Sequence, residues 1–214
     1  MEVREASSPR RQKAAIREVN EKAILEAAEV VFAEYGYAGA STGRIAELAG
    51  IPKANLHYYF PTKEGLYRRI IENIFNVWLE AAGSFDASDD PVEALTRYIR
   101  TKMELSRTHP MGSKIWANEI IQRAPIIQDY LETTLRDWTA TRVAAIEGWI
   151  AEGKLAKVEP HYLLYMIWAT TQHYADFCHQ ITTLNGGRDL SEEQWETAKD
   201  NVTTIILRGV KAIP

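Results

Sequence analysis

A short segment in the first third of the chain carries side chains that can bind base edges and phosphates. Asn55 can pair bidentately with adenine, and Lys53 can reach guanine or a phosphate oxygen. The methyl group of Ala54 can contact the methyl group of thymine, and Tyr58 can hydrogen-bond to phosphate. His57 is either a further base-reading residue or an exposed histidine without a role. The segment therefore predicts recognition of double-stranded DNA.

Two short helices around a tight turn must position those side chains. Thr42 can cap the first helix, and we also count it among the residues that contact DNA. The apolar face of that helix comprises Ile45, Ala46, Leu48 and Ala49. Gly50 supplies the turn at low steric cost, and Pro52 opens the second helix, where a missing backbone donor does no harm. The layout is that of a helix-turn-helix.

A third helix begins at Lys63, which we expect to hold a phosphate together with the backbone N–H groups of the helix amino terminus. The residues expected to pack this small unit are Leu56, Tyr59 and Phe60. The competing interpretation is a three-helix core whose polar groups are merely solvated.

The same stretch resembles a known family signature. Thr-x-x-Ile-Ala-x-x-Ala-Gly-Ile at 42–51 precedes Leu-x-Tyr-Tyr-Phe-Pro-x-Lys-Glu-x-Leu at 56–66. Together they are similar to the amino-terminal signature of TetR-family transcriptional repressors. This resemblance implies an all-α protein with a small three-helix DNA-binding head and a larger helical body that binds a ligand and dimerises. Pro52 departs from the signature, because Ser or Thr is more common there, so the second helix lacks a side-chain cap.

Composition places the chain among globular proteins. Its 214 residues are 46% apolar and 25% charged, so we expect a soluble protein. A single cysteine, Cys178, excludes an intramolecular disulfide, and no apolar run approaches the ~18 residues of a membrane span. The amino terminus has no apolar signal-peptide core, so we expect a cytoplasmic protein that does not bind membranes.

Charge is distributed unevenly along the chain. Residues 1–69 contain 11 Lys and Arg against 9 Asp and Glu, whereas residues 70–214 contain 14 against 20. Arg10 and Arg11 lie in a basic arm that can reach phosphates or a minor groove. The alternative is a solvated tail that touches nothing. We divide the chain into a flexible basic arm at 1–16, a helix-turn-helix domain at 17–64 and a ligand-binding and dimerisation domain at 65–214.

Helix is the only regular structure that the apolar pattern supports. From Arg17 to Tyr35 apolar residues recur at helical spacing, and Gly36 ends the stripe. A second long helix from Lys63 to Ala82 joins the head to the body. Its inward residues are Leu66, Ile70, Ile74, Val77 and Trp78. Further helices are predicted at 91–107, 112–123, 125–152, 160–183 and 191–211.

Two sequence patterns could indicate an enzyme or a metal site, but their positions in the predicted helices exclude both. Residues 39–43 match Gly-x-Ser-x-Gly, but a hydrolase nucleophile elbow needs a strand before the serine, and a helix precedes it here. His173, Asp176 and His179 do not converge, because positions six apart point to different sides of a helix. We therefore predict neither an enzyme, nor a cofactor, nor a metal site.

The body carries a second, narrower resemblance. Residues 75–79 and 163–177 are similar to a pyrimidine-responsive regulator within the same family, and the likeness extends over nearly the whole chain. Trp168 and Gln172 are four residues apart, so they place a flat ring beside an amide on one helical face. That pair suits a small planar heterocycle with adjacent N–H and C=O groups, such as uracil or thymine.

Trp78 lies on the helix that leaves the head, so a ligand touching both Trp78 and Trp168 would have a direct route to the DNA-reading helices. The residues expected to complete the cavity are Met103, Trp116 and Glu119. The alternative is that these tryptophans are ordinary core residues and that backbone groups satisfy Gln172.

The sequence therefore predicts a ligand-responsive repressor that binds a palindromic operator as a homodimer, with its two heads ~34–36 Å apart or a multiple of that distance. The residues expected at the dimer interface are Tyr162, Tyr165, Trp195, Val202, Ile206 and Val210. One rival keeps this function but takes an aromatic, fatty or drug-like effector, and another is a helical small-molecule enzyme. An activator would have the same parts, so the sign of regulation stays open.

Overall fold

A computed structural model describes residues 9–85 and 88–212. Over these ranges the regular structure is helical, without a strand, so the predicted all-α fold is confirmed. The chain divides into two compact units, Met1–Glu72 and Asn73–Pro214, which we call the first and second units. The division falls later than the boundary that we placed after residue 64.

The first unit contains α1 (Pro9–Gly39), α2 (Thr42–Leu48), α3 (Lys53–Tyr59) and the beginning of α4 (Lys63–Ala81). Because α1 starts at Pro9, the backbone of residues 9–16 is helical, and the expected flexibility of this arm stays a prediction. These residues are mostly strong helix formers, and proline suits the first helical position.

The basic arm is otherwise only partly described. Residues 1–8 lie outside the described residues, and so do the side chains of Arg10 and Arg11, whose backbone belongs to α1. Their expected contact with DNA stays a prediction.

Two left-handed glycines shape the first unit. Gly36 has φ +64° and kinks α1, which confirms the predicted end of its apolar stripe. Gly50 has φ +67°, and its N–H donates to Glu47 O while that of Ile51 donates to Ala46 O. This pair of bonds closes α2 and turns the chain toward α3, as the sequence predicted.

The core of the first unit is formed by α1, α2, α3 and α4, with fully buried side chains at Ile24, Ala28, Phe32, Ile45, Leu56, Leu66 and Tyr67. Leu48 was expected inside but is 54% exposed, because Ile45 and Ala46 already form the inward face of this short helix. Tyr35 is also partly exposed, and the Arg44 guanidinium lies over its ring at 4.0 Å.

The second unit contains the remainder of α4 and all later helices. A 3-10 turn (Ala82–Phe85) follows α4 and a π-helical turn (Leu131–Leu135) precedes α8. The later α-helices are α5 (Pro91–Thr108), α6 (Pro110–Ile121), α7 (Gln128–Tyr130), α8 (Arg136–Ala151), α9 (Pro160–Asp176), α10 (Cys178–Leu184) and α11 (Glu192–Gly209). The helix predicted at 160–183 is interrupted at Phe177, which lies between α9 and α10.

The core of the second unit lies between α5, α9 and α11. Its buried side chains include Leu95, Tyr98, Ile99, Leu164, Ile167, Val202, Ile206, Leu207 and Val210. Val202, Ile206 and Val210 were expected to contact a partner subunit, and this expectation was wrong. They recur every four residues along α11 and its C-cap, on the face that packs within its own chain.

Candidate DNA-reading surface and ligand cavity

All five residues that the sequence selected on α3 are exposed. The set comprises Lys53, Ala54, Asn55, His57 and Tyr58. Tyr58 is the most prominent, with 74% of its surface exposed. Leu56 in the same helix is fully buried, so it fixes α3 to the first unit while its neighbours face solvent. The helix therefore presents a polar ridge that can enter a groove of DNA.

Packing at the end of α3 holds this ridge in place. The Tyr59 hydroxyl accepts a hydrogen bond from Asn20 Nδ2 at 3.2 Å, which ties α3 to α1. Tyr59 and Phe60 are half-buried, as their expected packing role requires. Pro52 is the N-cap of α3 and provides no side-chain hydrogen bond, so the predicted loss of a cap is confirmed.

Lys63 has a different role from the phosphate contact that we expected. Its Nζ donates to Tyr37 O at 2.8 Å and to Ala40 O at 3.1 Å, and it lies 4.4 Å from the Tyr37 ring centroid. Carbonyl groups at the carboxyl end of a helix lack partners within that helix. Lys63 supplies two of them with a charged donor and so joins the end of α1 to the start of α4.

Of the two residues that could cap α2, Ser41 and Thr42, the structure uses Ser41. Ser41 is the N-cap, and its Oγ accepts a hydrogen bond from the Arg44 N–H at 3.2 Å. Thr42 is the first helical residue and is half-buried. Ser41 therefore has the capping role that we assigned to Thr42, and the expected contact of Thr42 with DNA stays a prediction.

A cavity of about 370 Å³ lies inside the second unit. Its volume is typical of small-molecule sites. Trp78, Trp116, Trp168 and Gln172 all line it, so the structure brings together four of the six residues expected there. Two pairs of rings form much of the wall. The Trp78 and Trp116 centroids are 5.4 Å apart, and those of Trp138 and Trp168 are 6.2 Å apart.

Met103 and Glu119 do not line the cavity, and their expected ligand role was wrong. Met103 is fully buried in the core between α5 and its neighbours. Glu119 is buried as well, and its Oε1 accepts a hydrogen bond from the Ile126 N–H at 2.8 Å. That carboxylate stabilises the turn after α6, where Arg123 and Ala124 adopt positive φ.

Trp168 is held by a hydrogen bond to a neighbouring wall. Its indole Nε1 donates to the Tyr98 hydroxyl at 2.8 Å. Burial raises the pKa of Tyr98 well above its ordinary value, so the phenol stays protonated and can still donate its own hydrogen. Trp168 therefore offers a ligand the face of its ring, while Gln172 offers an amide that both donates and accepts.

Lys102 brings a buried cation to the cavity. Only 7% of this residue is exposed, and its Nζ lies 5.1 Å from the Trp78 ring centroid and 6.0 Å from that of Tyr98. Burial lowers the pKa of Lys102 to about 8, and the charge of Asp176 opposes that shift. Asp176 itself accepts a hydrogen bond from Ser113 Oγ at 2.6 Å.

Several residues of the cavity were missed by the sequence analysis. They are Phe75, Leu79, Tyr98, Lys102, Ile120, Leu131, Leu135 and Trp138. A signal for Lys102 was available, because it interrupts the buried stripe of α5 between Tyr98 and Ser106. A lysine at such a position is seldom buried without a partner.

Within 9–85 and 88–212, no three or more His, Cys, Asp or Glu side chains form a group that could hold a metal ion. None of the described helices has the length and apolar character needed to cross a membrane.

Comparison with known proteins places both units. Residues 24–70 match the family described as bacterial regulatory proteins, tetR family, and residues 71–213 match the YcdC-like protein, C-terminal region. The chain is similar to the HTH-type transcriptional regulator RutR of Escherichia coli strain K12. The two are 40% identical over 190 residues, which are 89% of this chain and 90% of the relative.

Solved structures share the fold. The ketosteroid regulator KstR2 of Mycobacterium tuberculosis superposes with a TM-score of 0.70 at 20% identity, covering 89% of this chain and 94% of that one. AibR in complex with isovaleryl coenzyme A and operator DNA also gives 0.70, at 18% identity, covering 87% and 97%.

Proposed function

Because the chain belongs to the TetR family of bacterial transcriptional regulators, we propose that it is a dimeric repressor which releases its operator when a planar heterocycle occupies the cavity. Its relatives are regulators and not enzymes. The observation that carries the proposal is that this chain combines two features. Helix α3 presents an exposed polar ridge, and Trp168 and Gln172 line the same aromatic cavity.

The DNA-reading part of the proposal rests on the exposed ridge of α3. Asn55 and Lys53 read base edges in the major groove, while Tyr58 contacts the phosphate backbone. Two copies bind a palindromic operator with half-sites about one helical turn apart, or a multiple of that distance.

The dimer is supported by exposed apolar side chains on α9 and α11. Tyr162 and Ile205 are 70% and 68% exposed, and Tyr165 and Met166 are also exposed. Large apolar side chains grouped on a surface are typical of protein interfaces. We propose that these faces of α9 and α11 pack against the same faces of a second copy. Trp195, another residue expected at the interface, is half-buried, and its ring centroid lies 5.4 Å from that of Tyr174 within its own subunit.

The effector is a small planar heterocycle such as uracil or thymine. Four indole rings line the cavity and suit a flat ligand, and the Gln172 amide complements adjacent N–H and C=O groups. The resemblance of residues 75–79 and 163–177 to a pyrimidine-responsive regulator supports the same class. A ligand in contact with Trp78 would act on α4, which supplies residues to both compact units.

Fluorescence anisotropy with an operator found by genomic pull-down tests this proposal. Uracil in the cavity should weaken operator binding by ~5–150-fold, the range of a typical allosteric coupling of ~1–3 kcal/mol. Trp168→Ala and Gln172→Leu should abolish the response, whereas the control Trp195→Phe, outside the cavity, should keep it.

Each outcome of that titration is informative. Unchanged operator affinity at saturating uracil and thymine would remove the pyrimidine class and leave the regulator intact. Calorimetry with aromatic and fatty compounds would then identify the effector class. If the protein bound no specific DNA fragment in the pull-down, this result would contradict the DNA-reading assignment of α3.

A further inference from the structure

The charge of the cavity determines which planar ligand it favours. We propose that Lys102 makes the cavity a site for planar anions, that is, for a flat ring which carries one delocalised negative charge against the lysine ammonium. This inference rests on the proposed ligand cavity and deepens it by naming the charge of the ligand. The class includes deprotonated cyclic imides and aromatic carboxylates.

The position of the ammonium group is the first support. Lys102 lines the cavity, and its Nζ lies within cation–π distance of Trp78 and Tyr98, which line it too. Among the residues that the structure describes, none forms a hydrogen bond or an ion pair with this ammonium. Aromatic faces replace only part of the hydration that a buried ammonium loses. A ligand anion would supply the missing partner.

The charged groups around the cavity also favour an anionic ligand. Lys102 is the only charged residue among those that line the cavity in the described part of the chain. A second buried cation, Arg142 of α8, has its guanidinium 5.0 Å from the ring centroid of Trp138, another lining residue. The carboxylate that acts on Lys102 belongs to Asp176 of α9, and it accepts the Ser113 hydroxyl. The cavity therefore presents a positive field to its contents.

A planar anion would also suit the other groups that line the cavity. Its ring would stack on the face of Trp168, whose N–H is already bonded to Tyr98. The amide of Gln172 would donate to a second electronegative atom of the ring. A hydrogen bond from an ammonium to an anion is stronger than one to a neutral carbonyl, so charge adds to the selection made by shape.

Calorimetry at pH 7 with two matched ligand pairs tests the proposal on the full-length protein. The first pair is uracil, which is neutral, and barbiturate, a similar ring that is ionised. The second pair is 2-naphthamide and 2-naphthoate, which differ in charge on a shared ring system. In at least one pair, we expect the anion to bind about tenfold tighter or more than its neutral partner.

Variants separate charge from packing. Lys102→Met should reduce the preference for the anion to about twofold or less, whereas Lys102→Arg should retain it. Lys157→Met changes an exposed lysine of the second unit outside the cavity and should leave the preference unchanged. Circular dichroism and operator binding verify that each variant is folded.

The outcomes distinguish this inference from the proposed effector. Equal binding of both members of each pair overturns the role of Lys102 and leaves a neutral planar effector in place. A preference for naphthoate without any binding of uracil or barbiturate supports Lys102 and removes the pyrimidine class. If no compound of either pair binds, both proposals are overturned.

Discussion

Trp168 and Tyr98 are joined by a hydrogen bond of 2.8 Å from the indole N–H to the phenol oxygen, which ties α9 to α5 across one wall of the cavity. The indole donor is therefore already used, and a ligand meets Trp168 through its ring face alone. The polar groups that remain available to a ligand are those of Gln172 and Lys102 and the phenolic hydrogen of Tyr98.

The first prediction concerns that bond. Tyr98→Phe removes the acceptor and leaves the Trp168 N–H without its partner, so the free energy of unfolding should fall by about 1–3 kcal/mol. Urea denaturation measures the change. The matched control, Tyr58→Phe, alters an exposed residue outside the proposed dimer interface and should change stability by less than about 0.5 kcal/mol. Equal effects of the two variants would show that the Trp168–Tyr98 bond contributes nothing.

The second prediction follows from the buried charge of Lys102. Burial lowers its pKa from 10.5 to about 8. Below pH 8 the lysine is charged in both the folded and unfolded states, and the full cost of burying its charge is present. Between pH 8 and 10.5 the folded protein loses the proton first, so this cost decreases as pH rises.

Lys102→Met should therefore stabilise the protein most at pH 7 and below. The gain in the free energy of unfolding should be on the order of 3 kcal/mol at most, and it should disappear as pH approaches 10.5. Thermal or urea unfolding at pH 7 and pH 10 checks this. A gain that is independent of pH would indicate improved packing instead of relief of a buried charge.

Local patterns were sufficient to predict the helices and the ridge on α3. Gly50 and the apolar spacing of α2 are contained in a few neighbouring residues, and the structure confirms the turn that they predict. The wall of the cavity near Leu131, Leu135 and Trp138 was not predictable in this way. Its position depends on the positive φ turn after α6 and on the π-helical turn, which leave no periodic signature.

The sequence pattern also could not predict which residues contact partners far away in the chain or in a second subunit. Apolar residues on α11 can face either their own chain or a partner, and spacing alone does not decide between Ile205 and Ile206. Lys63 stands at the start of a helix, where a phosphate is a reasonable ligand, yet its partners are carbonyl groups more than twenty residues earlier. Such partners become visible only when α1 and α4 are packed together.

The third prediction tests the role of Lys63. Lys63→Met removes the donor from two carbonyl groups, so the free energy of unfolding should fall by about 1–3 kcal/mol. The salt dependence of operator binding should stay unchanged, because no phosphate contact is lost. Exposed Lys53 is the matched control, since Lys53→Met should reduce the slope of log K against log salt by about 1. A reduced slope for Lys63→Met would restore the phosphate role.

The fourth prediction concerns base reading by Asn55. Asn55→Ala should weaken binding to the preferred operator by about 1–3 kcal/mol and relax selectivity at one position of each half-site. Binding to unrelated duplex DNA should change little. Selection from a randomised operator library measures both effects. His57→Ala in the same assay determines whether that histidine reads a base, since an idle residue would leave the selected consensus unaltered.

The last prediction uses two adjacent isoleucines of α11 that differ in exposure. Ile205 is 68% exposed and Ile206 is 3% exposed. Ile205→Glu should place a charge in the proposed dimer interface, so light scattering should detect monomers while the helical circular dichroism is retained. Ile206→Ala should leave the dimer intact at equal concentration but lower the free energy of unfolding by about 2–5 kcal/mol through a core cavity. If Ile205→Glu remained fully dimeric, the exposed face of α11 would lie outside the interface, and the dimer would have to form through α9 or another surface.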